Sequence, residues 1–309
     1  MELVRLDASR TLGRAVPAVA IGNFDGVHLG HQALVRAAVA DARAQRGAAV
    51  VLTFDPHPAR VIAPERAPRT LLTLEQRAEV LAELGVDVLA VLVFDLAVAA
   101  LTPEQFAREI LGHCLETRVA VVGERFRFGR ERAGDAALLT QLGARMGFRV
   151  HAVSVVMLDG LPVSSSRARE ALARGDVEAA ARLLGRAFFV DGRVVSGDGR
   201  GRELGVPTAN LEVRNESQPA NGVYAGWARS REGGRWPCVV NVGTRPTFGG
   251  RAASIEAHLL GFDGDLYGCE LRLWFARRLR EERRFSGSVE LVEQIRRDVL
   301  AARAILERA

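Results

Sequence analysis

Lysine is absent from the chain, so all 42 of its basic side chains are arginine. That absence excludes the P-loop G-x-x-x-x-G-K-[ST] and the strand lysine of protein kinases, both of which set an ammonium on phosphate. Any ATP chemistry must use another scaffold. Cysteine is scarce: Cys114, Cys238 and Cys269 are scattered, odd in number and form no C-x-x-C pair. This excludes a disulfide framework or zinc knuckle and predicts reduced, structural thiols. Long apolar runs are missing too. The longest, "AAVVLTF" and "VLAVLVF", fall far short of the ~20 residues that span a bilayer, and "MELVRLDASR" lacks the basic-then-apolar layout of a signal peptide. The expectation is a cytoplasmic protein with no membrane partner.

Charge of one sign is not concentrated anywhere. The 42 basic and 37 acidic residues leave a net charge of +5 and a pI near 9.9, but arginines alternate with Glu and Asp along the chain, which suits solvated faces. The cluster Arg125, Arg127, Arg130 and Arg132 has only Phe126 and Phe128 as aromatic neighbours, no platform for stacking bases. No nucleic-acid partner is expected.

What is present is enough apolar content, 48% over 309 residues, for a core in each of two domains. In the first half short β-rich runs at 15–22, 48–54, 86–94, 118–123 and 148–156 alternate with helical periodicity near 30–46, 73–84, 103–115 and 135–146. That order predicts a mostly parallel sheet covered on both faces. From about 187 the texture changes to short strands broken by Gly and Pro, a small antiparallel barrel. The chain closes on an amphipathic helix with Ser288 as its N-cap and Val292, Ile295, Val299 and Leu306 in one stripe. The expected class is α/β plus β, with domains 1–186 and 187–309.

Polar, Gly-rich motifs follow the parallel strands, where the ligand crevice of an open α/β sheet lies. In "AIGNFDGVHLGHQAL", His28 and His31 stand three apart at the start of a helix. A helix N-terminus offers unpaired N–H groups to phosphate, and two imidazoles add donors for charge developing on a phosphoryl group. Gly30 between them admits a bulky anion, and Gly22 and Gly26 permit the turn. Ordinary surface histidines, or a metal pair completed by Asp25 or His57, are the alternatives at this point. In "PVSSSRAREAL", hydroxyls and Arg167 and Arg169 at a second helix start suit a polyphosphate, or simply a serine N-cap.

In the second half, "SGDGRGRELGVPTANLEV" sets Gly197, Gly199 and Gly201 before a segment in which Thr208 and Asn210 share a face. Two oxygen donors there could ligate Mg2+, or the segment could be a hairpin with a wet face. In "ASIEAHLL", Ser254, Glu256 and His258 alternate with Ile255, Ala257 and Leu259, making Glu256 a general base or an exposed strand carboxylate.

"GNFDGVHLGH", "TFDPHP", "VVGERFRFGRERAGD" and "VSSSRAR", in that order, resemble the adenylyltransferase half of bacterial bifunctional riboflavin kinase/FMN adenylyltransferases, or FAD synthetases. "GVPTANL", "NVGTRPTFGG" and "SIEAHLLGFDGDLYG" are similar to their riboflavin kinase module. The resemblance implies a Rossmann-like nucleotidyltransferase domain followed by a riboflavin kinase barrel and a terminal helix. It implies phosphorylation of riboflavin by ATP to FMN, then transfer of AMP from a second ATP to give FAD and pyrophosphate, with Mg2+.

The residue roles it carries over are these. His28 and His31 act on the reacting phosphates; Gly22, Asn23, Phe24, Gly30, Ser165, Ser166 and Arg169 bind ATP; Asp55, His57, Arg125 and Arg127 lie on the FMN side. In the kinase, Gly197, Gly199, Gly201, Thr208 and Asn210 bind ATP, Thr208 and Asn210 bind the metal, and Glu256 is the catalytic carboxylate. Four positions depart from the family's pattern: Ser166 replaces Thr and keeps the hydroxyl, Val206 and Gly261 stand in the kinase half where Phe and Asp are common, and Arg125 replaces Asp or Asn with a long cation. The alternatives are a riboflavin kinase whose adenylyltransferase half is impaired by Arg125, and an RNA-binding protein on a synthetase-like domain.

Overall fold

Uninterrupted apolar runs suit strands covered on both faces, and here they form the middle of a six-stranded parallel sheet. The computed structural model describes residues 1–7, 11–13, 15–197, 205–247, 250–283 and 285–308, and by its contacts the chain divides into two compact units, Met1–Ser164 and Ser165–Ala309.

The first unit runs β1 (Glu2–Leu6), β2 (Ala18–Ile21), α1 (Leu29–Ala44), β3 (Ala49–Asp55), α2 (Pro58–Ile62), α3 (Leu74–Glu83), β4 (Val88–Val93), α4 (Leu96–Ala100), α5 (Pro103–Gln105) and β5 (Val119–Gly123). There follow a short pair, β6 (Arg127–Phe128) and β7 (Gly134–Asp135), then α6 (Ala136–Met146), β8 (Arg149–Val153) and a hairpin of β9 (Met157–Leu158) and β10 (Leu161–Pro162). The sheet order is β1-β4-β3-β2-β5-β8, parallel at every pairing. β2 is buried throughout. After β2 the chain builds to one side of it through β3 and β4, and then places β5 on the other. That reversal opens a crevice at the carboxyl ends of β2 and β5.

Two elements differ from expectation. β1 is an edge strand whose "ELVRL" is mostly exposed, so no buried run announces it. The helix expected over 103–115 starts as one, with Pro103 in its first turn and a Thr102–Gln105 capping box, but continues from Phe106 to Cys114 as a π-helix. Its buried residues Phe106, Ile110 and Cys114, like Ala107 and Leu111, recur every fourth position. The wider turn shows in the Leu115 N–H, which donates five residues back to Ile110 O at 3.1 Å.

The second unit opens with α7 (Ser165–Ala173) and α8 (Val177–Leu184). The closed antiparallel barrel follows: β11 (Phe188–Val195), β12 (Ala209–Val213), β13 (Gly222–Ser230), β14 (Arg235–Thr247), β15 (Gly250–Leu259) and β16 (Glu270–Arg280), in the order β11-β12-β15-β14-β13-β16. Tyr224, Val240, Val242, Ile255, Ala257, Leu273 and Phe275 are fully buried within it. The helix pair packs on this barrel: Ala220 N–H donates to Leu172 O at 2.8 Å, and Arg277 meets Glu178 at 2.8 Å. The boundary expected at 186 therefore lies inside the second compact unit.

The last helix, α9 (Ser288–Leu306), lays Ala302 and Leu306 on Val223, Ala225 and Val239, with Val299 alongside. Ser288 is not its N-cap. Gly287 is, with no side-chain bond, and the first turn is tied instead by Ser286, whose N–H and hydroxyl both donate to Glu290 Oε2. Asp298 also lies in the buried stripe and is matched there by Arg280, at 2.9–3.1 Å.

Candidate active sites

The loop from β2 into α1 occupies the crevice of the first unit. Phe24 (φ 49°), Gly26 (φ 79°) and Val27 (φ 40°) are all left-handed, and Phe24 and Val27 are fully buried. Such backbone is costly for non-glycine residues and persists only where neighbours over-determine it. They do so here. Asp25, 2% exposed, accepts the Leu71 and Leu72 N–H groups at 2.8 and 3.4 Å. The Asn23 carbonyl accepts from the Thr53 hydroxyl (3.1 Å) and from Arg77 Nη1 (3.0 Å), and Arg77 Nη1 also donates to Thr53 Oγ1 at 3.0 Å.

His28 is the N-cap of α1: its Nδ1 accepts the His31 N–H at 3.2 Å. In the neutral ring the proton is thereby assigned to Nε2. The two imidazoles stack with centroids 3.6 Å apart and planes 15° apart, and Phe24 leans on His31 at 5.1 Å. Gly30 serves this stack, since a Cβ there would sit 3.2 Å from the His28 ring. That adds an internal reason to the one expected for Gly30. Gly22 has looser limits, with a Cβ meeting Phe24 at 3.4 Å.

His57 caps α2 through Nδ1, which accepts the Ala59 N–H at 3.2 Å, and its Nε2 lies 3.2 Å from the Asn23 side-chain amide. The "TFDPHP" and "GNFDG" motifs thus meet. Asp55 pairs with Arg5 at 3.2 Å across an exposed edge. Arg125 is exposed in the turn after β5, and Arg127 pairs with Asp135 at 3.3 Å across the β6–β7 ribbon. Asp25, a candidate metal ligand by sequence, is buried against backbone N–H groups; among the described residues no cluster of three His, Cys, Asp or Glu could hold an ion.

In the second unit, α7 begins at Ser165, so Ser165 and Ser166 fill its first two positions, and Arg169 lies one turn on. On the barrel, register brings Asn210 opposite Glu256 and Glu256 opposite Asn241. With Ile255, Ala257, Val240, Val242 and Leu211 buried on the alternate positions, the three polar side chains form a row on the outer face. The Ser254 hydroxyl donates to Glu256 Oε1 at 3.3 Å. Thr208 is half-buried just before β12, and Pro207 O is 2.7 Å from His258 Nδ1, tying that segment to β15. A Cβ on Gly197 would meet the Asn210 amide at 2.2 Å. Gly199 and Gly201 lie outside the described residues.

Sequence reasoning missed Arg77, Thr53 and Asn241. The signals were there. Arg77 interrupts the apolar stripe it shares with Val80 and Leu81, and Asn241 stands between the core valines 240 and 242.

A family model described as FAD synthetase matches residues 14–167, and one described as Riboflavin kinase matches residues 184–306. The bifunctional riboflavin kinase/FMN adenylyltransferase of Escherichia coli K12 is 40% identical over 283 residues, 92% of this chain and 90% of that protein. The protein of that description from Pseudomonas fluorescens is 42% identical over 287 residues, covering 92% of this chain and 91% of the relative. For Bacillus subtilis 168 the figures are 37% over 292 residues, 92% and 91%. A crystal structure described as a macrolide-efflux protein from Streptococcus pneumoniae matches with a TM-score of 0.89 and 30% identity, over 98% of this chain and 99% of that one. The efflux role is part of that protein's description; among the described residues here no helix is long and apolar enough to cross a membrane. With both family models matched in chain order and relatives similar over nine-tenths of its length, the chain belongs to the bifunctional riboflavin kinase/FMN adenylyltransferase family.

Proposed function

We propose that the chain phosphorylates riboflavin with ATP to FMN and then adenylylates FMN with ATP, giving FAD and pyrophosphate. The observation that carries this is the occurrence, within one chain, of the His28–His31 stack inside the FAD synthetase match and of the Asn210–Glu256–Asn241 row inside the riboflavin kinase match. We assign adenylyl transfer to residues 1–186 and the kinase to 187–309.

In adenylyl transfer the FMN phosphate attacks the α-phosphorus of ATP and pyrophosphate leaves, a displacement that needs positioning and charge stabilisation. His28 and His31 contact the ATP phosphates and the charge developing at the α-phosphorus, supported by the α1 N-terminus. Gly22, Asn23, Phe24 and Gly30 shape the ATP side; Ser165, Ser166 and Arg169 hold the departing phosphates. Asp55, His57, Arg125 and Arg127 face FMN.

In the kinase, Glu256 takes the proton from the ribityl 5′-hydroxyl as that oxygen bonds to the γ-phosphorus and ADP leaves. The Ser254 hydroxyl on Glu256 Oε1 orients that carboxylate. Thr208 and Asn210 supply the hard oxygen donors that Mg2+ takes. They would hold the ion, which when bound balances phosphate charge. A use of ATP and of FMN as an intermediate is in keeping with a cytoplasmic enzyme.

Incubating the protein with riboflavin, ATP and Mg2+ and resolving the flavins by chromatography tests the reading. FMN and FAD are expected. FMN alone would leave a kinase with a silent first half, and neither product would overturn the proposal.

A further inference from the structure

Arg77 is a buried cation that the reaction scheme leaves unused. It lies in the first turns of α3 and is 7% exposed, and its Nε has no acceptor. Burial lowers the pKa of its guanidinium, and Asp25, Asp55 and Glu75 oppose that shift as charges acting through space. Its hydrogen bonds go to neutral oxygens, the Asn23 carbonyl and the Thr53 hydroxyl, each at 3.0 Å. Removing a guanidinium from water is expensive, and an aliphatic side chain would fill the same stripe beside Val80 and Leu81 without that penalty. Packing alone does not account for an arginine here.

What the arginine does hold is the strained loop. Asn23 precedes the left-handed Phe24, and the same short segment ends at the left-handed Val27 and the capping His28. The Asn23 carbonyl is gripped from two sides by Thr53 and Arg77, while its side chain meets His57. Released, this backbone would relax toward ordinary φ values and carry the His28–His31 stack with it.

We propose that Arg77 is a positioning residue for adenylyl transfer: its guanidinium holds the Asn23 carbonyl, and through it the 22–28 loop, in the shape that presents His28 and His31 to the reacting phosphates. The inference rests on the reading that those histidines serve adenylyl transfer.

The test compares Arg77→Gln, Arg77→Lys, Thr53→Val and His28→Ala in the full chain, measuring FMN adenylylation and riboflavin phosphorylation separately. Arg77→Gln is expected to lower kcat for adenylylation about tenfold to a hundredfold, the range for misplaced catalytic groups, with KM for ATP within about threefold. Arg77→Lys, restoring the charge and a donor, recovers most of that loss. Thr53→Val, which leaves Arg77 in place, shows a smaller fall of the same kind and serves if Arg77→Gln does not fold. Riboflavin phosphorylation stays at the wild-type rate in all of them. The proposal fails if Arg77→Lys is no faster than Arg77→Gln, if KM rather than kcat carries the change, or if adenylylation is undiminished while His28→Ala abolishes it. Undiminished adenylylation in His28→Ala would instead overturn the site reading itself.

Discussion

At the scale of single residues, His28 has two duties that substitution can separate. It caps α1 and stacks on His31, so His28→Ala removes a cap worth about 1 kcal/mol together with the imidazole. His28→Asn keeps a capping oxygen. FMN adenylylation should fall by about a hundredfold to a thousandfold in either variant, whereas the melting temperature should drop only in His28→Ala. Arg125 makes the second residue-scale prediction. It is exposed in the turn after β5, at the position where the family resemblance of the sequence implies Asp or Asn, and Arg125→Asn should raise the rate of FMN adenylylation; an unchanged rate would show that the cation is neutral there. The placement of the histidines at the start of α1 was legible because glycines and a strand-to-helix switch frame them in the sequence. For Arg77 the sequence marks only a cation among apolar positions, and for Thr53 nothing, because the carbonyl both meet is set by the fold.

Among elements, two barrel strands were the most legible in extent, because Gly, Pro and polar residues bound their apolar runs on both sides, whereas β14 and β16 run on past theirs. β11 and β13 are "FFVDGRVV" and "GVYAGWARS", two of the short runs into which Gly and Pro break the chain after about 187. The π-helix from Phe106 to Cys114 and the exposed β1 were less so: apolar spacing marks a helix without telling its wider turn, and β1 has no buried run to mark it. α9 sits between. Its apolar stripe was readable, but the buried Asp298 was not, because its partner Arg280 comes from β16. With Asp298 only 6% exposed in its side chain and Arg280 20%, Asp298→Ala strands a cation and should cost about 3–5 kcal/mol. Leu306→Ala, on the same helix, should cost about 2–5 kcal/mol by leaving a cavity over Val223 and Ala225. Urea unfolding of each variant checks both values.

For the whole molecule, sequence texture located the change from parallel sheet to barrel, but not the allegiance of the helices between. Periodicity reports which face of a helix is apolar, not which core receives it. α7 and α8 contribute Leu172, Val177, Leu183 and Leu184 to the buried set of the second unit, and Gly175 is so close to the barrel that a Cβ would meet the Tyr224 hydroxyl at 2.8 Å. A fragment covering 165–309 should therefore melt higher than one covering 187–309, which loses the Leu172–Ala220 hydrogen bond and the Glu178–Arg277 pair. Circular dichroism on the two fragments, with riboflavin phosphorylation as a check of function, decides it.

The same helix pair bears on how this protein could be rearranged. Ser165, Ser166 and Arg169, which we assign to adenylyl transfer, lie on α7 and so within the second compact unit. A graft that moves the kinase as a physically intact module takes these proposed adenylyl-transfer residues with it, and a graft cut to spare them leaves a barrel with a bared flank. Gene order and mechanical order are interleaved here, so the two activities can be silenced one at a time by point substitution more cleanly than they can be parted by scission.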